Sequence, residues 1–312
     1  MIVLTFPGQG AQAPGMGEPW LGHPSWSVVD EVATATGRDV AGLLLRTDAA
    51  TLTETRNAQL ATFATSLIVR DALARVGVVP TLVAGHSLGE YTALVAAGVL
   101  STADGARLVA ARGDAMQAAA DERPGTMAAV LGLDAPAVAE ACADAGGEVW
   151  LANDNAPGQA VIAGDPDAIT AAGATARARG ARRLVPLPVG GAFHTPFMAP
   201  ATDRLADALG DVEWLDGRCP VVANVDAEVH GPGATWPGLL RDQLTSPVRW
   251  RESLGTIADA GGSVLVEAGP GGVLTGLAKR TVGDLARLAV SDPTNVEAAG
   301  AAVADAGRAW GR

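Results

Sequence analysis

The stretch VAGHSLGEYTA, residues 83–93, joins a short apolar run to a helix-like run. The apolar run TLVAG (81–85) has the length and composition of a buried strand. Gly85-x-Ser87-x-Gly89 between a strand and a helix fits a nucleophile elbow, a turn so tight that glycine is required on both sides of the serine. Such a turn exposes the serine Oγ at a helix N-terminus, where free N–H groups and the helix dipole favour developing negative charge. Ser87 is therefore a candidate nucleophile, and the alternative interpretation is a serine with a purely structural role in the turn.

Strands and helices alternate on both sides of this stretch. Strands are predicted at IVLTF (2–6), TLVAG (81–85), 220–224 and SVLVEAG (263–269). Helical patterns lie near 24–36, 59–76, 88–98, 102–120, 197–209, 236–244 and 249–260. Continuously apolar strands that alternate with helices indicate an α/β protein with a parallel sheet covered on both faces.

The pattern changes at Arg123-Pro124-Gly125. From there, strands are predicted at 127–133, 148–153, 159–164 and 182–189, and helices at 135–145 and 166–180. The order β-α-β-β-α-β is the ferredoxin-like arrangement. We therefore predict a ferredoxin-like subdomain over 125–190, inserted into an α/β domain made of 1–124 and 191–312. The C-terminal VEAAGAAVADAG is predicted to form a solvated helix.

Composition limits the possible functions of the 312-residue chain. With 48% hydrophobic and 18% charged residues it can bury a sizeable core, and its formal net charge of −12 disfavours a nucleic-acid binder. No apolar run approaches the roughly 18 residues that span a bilayer, and the N-terminus lacks the features of a signal peptide. We expect a soluble, cytoplasmic, monomeric protein. Cys142 and Cys219 have no metal-binding or redox spacing and are predicted to be small buried side chains.

A nucleophilic serine needs a base, usually histidine, and the chain has four histidines. His194 lies where the predicted strand 182–189 gives way to a loop, and it is the preferred base. His86 is adjacent to Ser87, so its side chain should leave the turn in another direction, as a packed or supporting residue. His23 and His230 lie in Gly/Pro loops and are predicted to be surface residues. No acidic residue stands out as a third member, so we expect a Ser–His dyad whose imidazole is oriented by a backbone carbonyl.

The loop after the first strand, PGQGAQAPGMG (7–17), has a second interpretation. Gly8-x-Gly10-x-x-Ala13 mimics a dinucleotide-binding fingerprint, but that fingerprint requires a helix to begin inside the motif. Pro14, Gly15 and Gly17 would break such a helix. The loop can instead bring the backbone N–H of Gln9 close to a reacting carbonyl.

The motifs, taken in order, resemble those of malonyl-CoA:acyl carrier protein transacylases and the acyltransferase domains of polyketide synthases. The resemblance covers nearly the whole chain. It is carried by FPGQGAQ (6–12), GHSLGEY (85–91), the RG of AARGDAMQ (110–117), NDNAPGQAVIAG (153–164), PVGGAFHTPFM (188–198), QLTSPVRW (243–250) and EAGPGGVLTGLAKR (267–280). It implies a hydrolase-like α/β domain that carries a ferredoxin-like subdomain.

The resemblance also implies roles for individual residues. Ser87 is acylated, His194 is the base, and the backbone N–H groups of Gln9 and Leu88 form the oxyanion hole. Arg112 binds the free carboxylate of the substrate, for which a guanidinium has the matching two-point geometry. From the helical pattern alone, Arg112 would be a solvated charge. The remaining predicted binding residues are Phe193, which limits room for an α-substituent, a backbone carbonyl near Gln243, Asn155 on a loop near the cleft, and His86.

The expected reaction transfers a malonyl group from coenzyme A to the phosphopantetheine thiol of an acyl carrier protein through a malonyl-Ser87 ester, without a metal or redox cofactor. Alternatives are an acyltransferase for another extender unit, an acyl-thioester hydrolase and a non-catalytic module that binds a carrier protein. For docking of the carrier protein we expect the basic cluster Arg177, Arg179, Arg182 and Arg183.

Overall fold

The structure is a computed structural model and describes residues 1–310. Its strands are β1 (Ile2–Phe6), β2 (Leu82–Gly85), β3 (Thr126–Leu131), β4 (Val149–Ala156), β5 (Gln159–Gly164), β6 (Arg183–Pro186), β7 (Val221–Val222), β8 (Val229–His230), β9 (Val264–Ala268) and β10 (Ala286–Val290). The first helices are α1 (Ser27–Thr36), α2 (Val40–Leu45), α3 (Ala49–Thr53), α4 (Thr55–Arg75), α5 (Gly89–Ala97) and α6 (Thr102–Glu122). The others are α7 (Ala135–Ala145), α8 (Pro166–Ala178), α9 (Ala199–Gly210), α10 (Trp236–Thr245), α11 (Trp250–Asp259), α12 (Val273–Thr281) and α13 (Thr294–Trp310).

A six-stranded sheet forms the centre of the molecule, in the order β10-β9-β1-β2-β7-β8. All neighbours are parallel except β8, which pairs antiparallel with β7 at one edge. Alternate residues of each strand enter different cores: Leu4 and Val83 face the larger core, whereas Val3 and Leu82 face the core built on α11 and α12. The sheet is therefore covered on both faces, as the continuously apolar strands predicted.

A second, antiparallel sheet has the order β4-β5-β3-β6. This is the strand order of a ferredoxin-like fold, and the α/β class with a ferredoxin-like part is confirmed. One face of this sheet, including Ala128 and Ile162, packs against α7 and α8, and the other, including Ala129 and Val161, joins the main core. The boundaries at 125 and 190 stay a prediction.

Strand β4 is also tied to the segment that leads into α11. The Asp154 N–H donates to the Val248 carbonyl at 2.9 Å, and the Val248 N–H donates to the Ala152 carbonyl at 2.9 Å. The Arg251 guanidinium pairs with the buried Asp154 carboxylate at 2.8 Å. These contacts hold the smaller sheet against the main one beside the residues that line the cleft.

Several element predictions need correction. The strand predicted at 182–189 ends at Pro186, and Pro186 and Pro188 have no N–H to extend a ladder. The strand at 220–224 is only Val221–Val222, because the chain turns back there to pair with β8. The short α2, α3, β8 and β10 were not predicted.

The C-terminal helix was predicted to be solvated, and this is wrong for one of its faces. Val296, Ala299 and Val303 are buried in the main core, at a spacing of three to four residues. The part of this prediction that concerns the side chains of 305–307 lies outside the described residues. Among the described residues, no helix is both long and apolar enough to cross a membrane.

Candidate active site

Ser87 stands at the sharp turn between β2 and α5. Its backbone has φ 52°, a left-handed conformation that costs free energy for a residue with a Cβ atom. A Cβ atom on Gly85 would lie 1.9 Å from the Gly89 carbonyl, and one on Gly89 would lie 2.1 Å from the Phe6 carbonyl oxygen. Glycine is therefore required at both positions, for the steric reason that the elbow motif implies.

Asn224, just beyond β7, holds the strained turn. Its Oδ1 accepts the Ser87 N–H at 2.6 Å, and its Nδ2 donates to the Gly85 carbonyl at 2.7 Å. Asn224 was not among the predicted site residues. The available signal was its place as the last residue of the strand predicted at 220–224, because residues at the carboxyl ends of parallel strands gather at one edge of a sheet.

The structure brings Ser87 and His194 together across 107 residues of sequence. Ser87 Oγ lies 2.8 Å from His194 Nε2, and His194 Nδ1 lies 2.8 Å from the Gln243 carbonyl oxygen. A carbonyl can only accept, so Nδ1 carries the hydrogen and Nε2 is free to accept the serine proton. The expected orienting carbonyl is thus present. Burial, and next the positive charge of Arg112, lower the pKa of His194 to about 3, which keeps the imidazole neutral.

The other three histidines make different contacts. His86 Nε2 lies 2.8 Å from Asn155 Oδ1, and its ring meets Trp250 edge-on at 5.5 Å between centroids. It leaves the elbow away from the Ser–His pair, as predicted. His23 and His230 are partly exposed, and each has a local polar partner: the Ser25 N–H at 3.2 Å for His23 and the Asp226 carboxylate at 2.9 Å for His230.

Arg112 is only 1% exposed, which rules out the interpretation as a solvated helix charge. Nη1 donates to Gln59 Oε1 at 2.8 Å, and Nη2 donates to Gln243 Oε1 at 2.9 Å and to Ser87 Oγ at 3.1 Å. All three acceptors are neutral groups. The helix α6 therefore presents a buried positive charge beside the serine oxygen, with no anion among these contacts.

A cavity of about 210 Å³ opens over Ser87. The loops after β1 and β2, the second sheet, α6 and α12 contribute to its walls, which include Gln9, Arg112, Asn155, Phe193, His194 and Leu274. His86 also lines the cavity, and Phe193 is 5% exposed. Leu88 and Gln243 are buried next to residues of the wall, but in the described part of the chain they are not among the residues that line the cavity.

Two backbone N–H groups flank the serine. Leu88 directly precedes α5, and Gln9 lies in the loop after β1, which passes so close to the elbow that a Cβ atom on Gly8 would lie 2.4 Å from the His86 carbonyl oxygen. Within residues 1–310, neither N–H donates to a protein acceptor. Both are available for an oxyanion, and their role stays a prediction.

Glu90 and Gln243 form a polar cluster beneath the serine. Glu90 is 1% exposed, and burial raises the pKa of its carboxyl group to about 8. It accepts the Asn224 N–H at 3.0 Å and a hydrogen bond from Gln243 Nε2. Glu90 belongs to the motif GHSLGEY, but no role was predicted for it, and near Gln243 only a backbone carbonyl was predicted to take part.

The basic cluster expected to bind a carrier protein is partly neutralised. Arg179 pairs with Glu140 at 2.7 Å and with Asp144, both on α7. Arg177, Arg182 and Arg183 are exposed. Leu187 and Val189, which follow Arg183 closely in the chain, line the cavity.

Comparison with known proteins assigns the family. The acyl transferase domain family matches residues 3–306 of the chain. The chain belongs to the acyl transferase family. This acyltransferase is 40% identical over 303 residues to the malonyl CoA-acyl carrier protein transacylase of Bacillus subtilis, with 96% of each chain covered.

Solved structures give the same result for the acyltransferase fold. A malonyl-CoA:acyl carrier protein transacylase from Xanthomonas oryzae superposes with a TM-score of 0.92 at 42% identity, covering 96% of this chain and 98% of the other. A malonyl-transacylase solved in complex with a type II polyketide synthase acyl carrier protein superposes with a TM-score of 0.90 at 39% identity, covering 95% and 97%.

Proposed function

We propose that this acyltransferase moves a malonyl group from coenzyme A to the phosphopantetheine thiol of an acyl carrier protein, in fatty acid or polyketide synthesis. The observation that carries the proposal is the buried Arg112 guanidinium, 3.1 Å from Ser87 Oγ, whose hydrogen bonds to described residues all go to neutral acceptors. A carboxylate on the acyl group would supply the missing negative charge, and a malonyl group has one. The named relatives in Bacillus subtilis and Xanthomonas oryzae support the same substrate.

In the first half-reaction Ser87 attacks the thioester carbonyl carbon. His194 Nε2 takes the serine proton as the Oγ–C bond forms, and the Gln9 and Leu88 N–H groups stabilise the negative oxygen of the tetrahedral intermediate. The C–S bond then breaks, and the His194 imidazolium returns its proton to the leaving coenzyme A sulfur. The Gln243 carbonyl stabilises the transient imidazolium through Nδ1.

The second half-reaction reverses these roles. His194 removes the proton of the phosphopantetheine thiol, the sulfur attacks the malonyl-Ser87 ester, and the proton returns to Ser87 Oγ as the ester bond breaks. Each step is an acyl or proton transfer, so the proposed reaction needs no metal or redox cofactor. The malonyl-transacylase solved with an acyl carrier protein supports such a protein as the acceptor.

The test is the mass of the intact protein after incubation with malonyl-CoA. We expect the mass of one malonyl group to be added, on the peptide that contains Ser87, and no addition to Ser87→Ala. Holo acyl carrier protein should then remove the label faster than water does. Labelling of another residue would contradict the role of Ser87. Rapid loss of the label in water without a carrier protein would identify a thioester hydrolase instead.

A further inference from the structure

Glu90 lies in the first turn of α5, three residues after Ser87, and both of its carboxyl oxygens meet hydrogen-bond donors. Oε1 accepts the backbone N–H of Asn224 at 3.0 Å, and Oε2 accepts a hydrogen from Gln243 Nε2. The two donors come from the chain after β7 and from α10. Glu90 therefore joins two segments that each contact the serine turn.

The Gln243 side chain connects Glu90 to Arg112. Its Nε2 donates to Glu90 and, at 3.0 Å, to the Ser87 carbonyl, while its Oε1 accepts from Arg112 Nη2 at 2.9 Å. An amide can rotate by half a turn with no change of shape, so its neighbours decide which end points where. Here two acceptors face the nitrogen and one donor faces the oxygen, and only this orientation satisfies all three.

We propose that Glu90 is a positioning residue for acyl-group selection, which acts through Gln243 to hold the Arg112 guanidinium toward the cavity. The inference rests on the proposed function, in which Arg112 binds the malonyl carboxylate. Gln59 anchors only the Nη1 side of the guanidinium, at 2.8 Å. The Nη2 side, which also contacts Ser87 Oγ, depends on the Gln243 oxygen.

A glutamine at position 90 would break this arrangement while keeping the shape of the side chain. Each oxygen of the Glu90 carboxyl group keeps an acceptor lone pair whether the group is ionised or protonated, whereas an amide has one acceptor oxygen and one nitrogen that can only donate. The Asn224 N–H belongs to the backbone and cannot turn away, so the new amide oxygen would face it and the new NH₂ would face Gln243. If Gln243 keeps its orientation, its NH₂ group faces the NH₂ group of the new glutamine, and two donors oppose each other. If its amide turns over instead, its nitrogen faces the Arg112 guanidinium and its oxygen faces the Ser87 carbonyl, so both of those hydrogen bonds are lost.

The experiment is a competition between malonyl-CoA and acetyl-CoA for Ser87, measured by intact mass for wild type, Glu90→Gln, Gln243→Met and the double variant. We expect Glu90→Gln to lower the malonyl-to-acetyl ratio about 10–100-fold, the range of a hydrogen bond to a charged group. Acetylation should fall much less, because an acetyl group does not use Arg112. The double variant should match Gln243→Met within about twofold, because Glu90 acts through that side chain.

Glu267→Gln is the matched control. Glu267 is also fully buried, and its two oxygens accept the N–H groups of Leu274 at 3.1 Å and Thr275 at 2.7 Å at the start of α12. Its contacts include neither Gln243 nor Arg112, so the malonyl-to-acetyl ratio of this variant should equal that of wild type.

Several results would overturn the inference. They are an unchanged ratio in folded Glu90→Gln, equal loss of both acyl groups, additive effects in the double variant, or the same shift in Glu267→Gln. If Glu90→Gln does not fold, Gln243→Met provides the test, since it removes the hydrogen bonds that link Glu90 to Arg112 and leaves Glu90 in place. An unchanged malonyl-to-acetyl ratio in Gln243→Met would then reject the positioning role of Glu90. If wild type shows no malonyl preference, it is the proposed function that fails.

Discussion

Arg112 is the residue on which substrate choice depends most directly. A guanidinium that is 1% exposed has lost most of its hydration, and its three hydrogen bonds go to neutral oxygens. A charge in such a place is costly until an anion joins it. We therefore expect the free energy of pairing to appear as preference for an acyl group with a carboxylate.

Replacing Arg112 with Ala should lower kcat/KM for malonyl-CoA by roughly 10²–10³-fold, because breaking a buried pair costs about 3–5 kcal/mol. Acetyl transfer should be unchanged or raised, since acetyl-CoA has no group to pair with the guanidinium. Kinetics with each thioester, on protein shown to be folded by circular dichroism, measures this. A folded variant that keeps its malonyl preference would show that another residue binds the carboxylate.

The pH dependence of acylation tests the environment of His194. Burial and the charge of Arg112 lower its pKa from 6.5 to about 3, so the base stays neutral, and the rate of Ser87 acylation should stay level from pH 7 to pH 5. With an unperturbed histidine of pKa about 6.5, the neutral fraction of the base, and with it the rate, would fall about 25-fold over that range. Rapid-quench mass measurements of the first acylation event report the rate without the thiol step.

In Arg112→Ala, the fall of the acylation rate on the acidic side of the pH profile (the acid limb) should begin at higher pH than in wild type. A positive charge near the imidazole disfavours the imidazolium, so its removal raises the pKa of His194. Acetyl-CoA is the suitable acyl donor for the variant. A wild-type limb near pH 6.5 would mean that His194 is not the base, or that solvent reaches it.

At the scale of elements, the elbow is a close contact among β1, β2 and α5. Gly89 begins α5 directly against the end of β1, where a Cβ atom would come within 2.1 Å of a backbone oxygen. Backbone cannot move aside as a flexible side chain can, so α5 itself would have to shift and carry Ser87 with it.

Gly89→Ala should therefore destabilise the protein by more than about 2 kcal/mol, as overpacking does in a rigid core, and slow Ser87 acylation. Gly276→Ala is the control, because Gly276 lies inside α12 and, apart from its own helix, no atom of the described residues comes within 4 Å of an added Cβ atom. That change should stabilise by about 0.5–1 kcal/mol, since alanine loses less backbone entropy. Urea titrations of both variants give the comparison, and equal stabilities would disprove the crowding at the elbow.

At the scale of the whole molecule, the formal net charge of −12 would repel a carrier protein that is itself acidic. Exposed Arg182 and Arg183 are local exceptions, and the chain after them forms part of the cavity wall. Arg179 contributes less, because Glu140 and Asp144 already pair with it.

Reversing both charges, Arg182→Glu with Arg183→Glu, should raise KM for the carrier protein and leave KM for malonyl-CoA unchanged. The difference should shrink at high salt, since exposed charges are screened beyond about 10 Å at 0.1 M ionic strength. Arg46→Glu is the control, an exposed arginine whose side chain pairs with Asp39 and lines no part of the cavity in the described residues. An unchanged KM for the carrier protein would place the docking surface elsewhere.

By itself, the sequence determined the α/β class, the second antiparallel sheet and the serine turn. These features depend on residues that are contiguous in the chain. The spacing of apolar residues distinguishes strands from helices, and glycines are needed on both sides of Ser87 because the turn leaves no room for a Cβ atom. The motifs also singled out Ser87, His194 and Arg112 as chemically important, although no local pattern could show that Arg112 is buried.

Only the tertiary structure decided how these side chains meet. Asn224 reaches Ser87 across 137 residues, and Gln243 reaches Glu90 across 153. A polar residue on a helix has the same sequence period whether it faces water or a buried acceptor, so burial and partner depend on how separate elements pack. The same reason explains the C-terminal helix. Its small apolar side chains give no sequence signal of burial, and the neighbouring core covers one face of the helix.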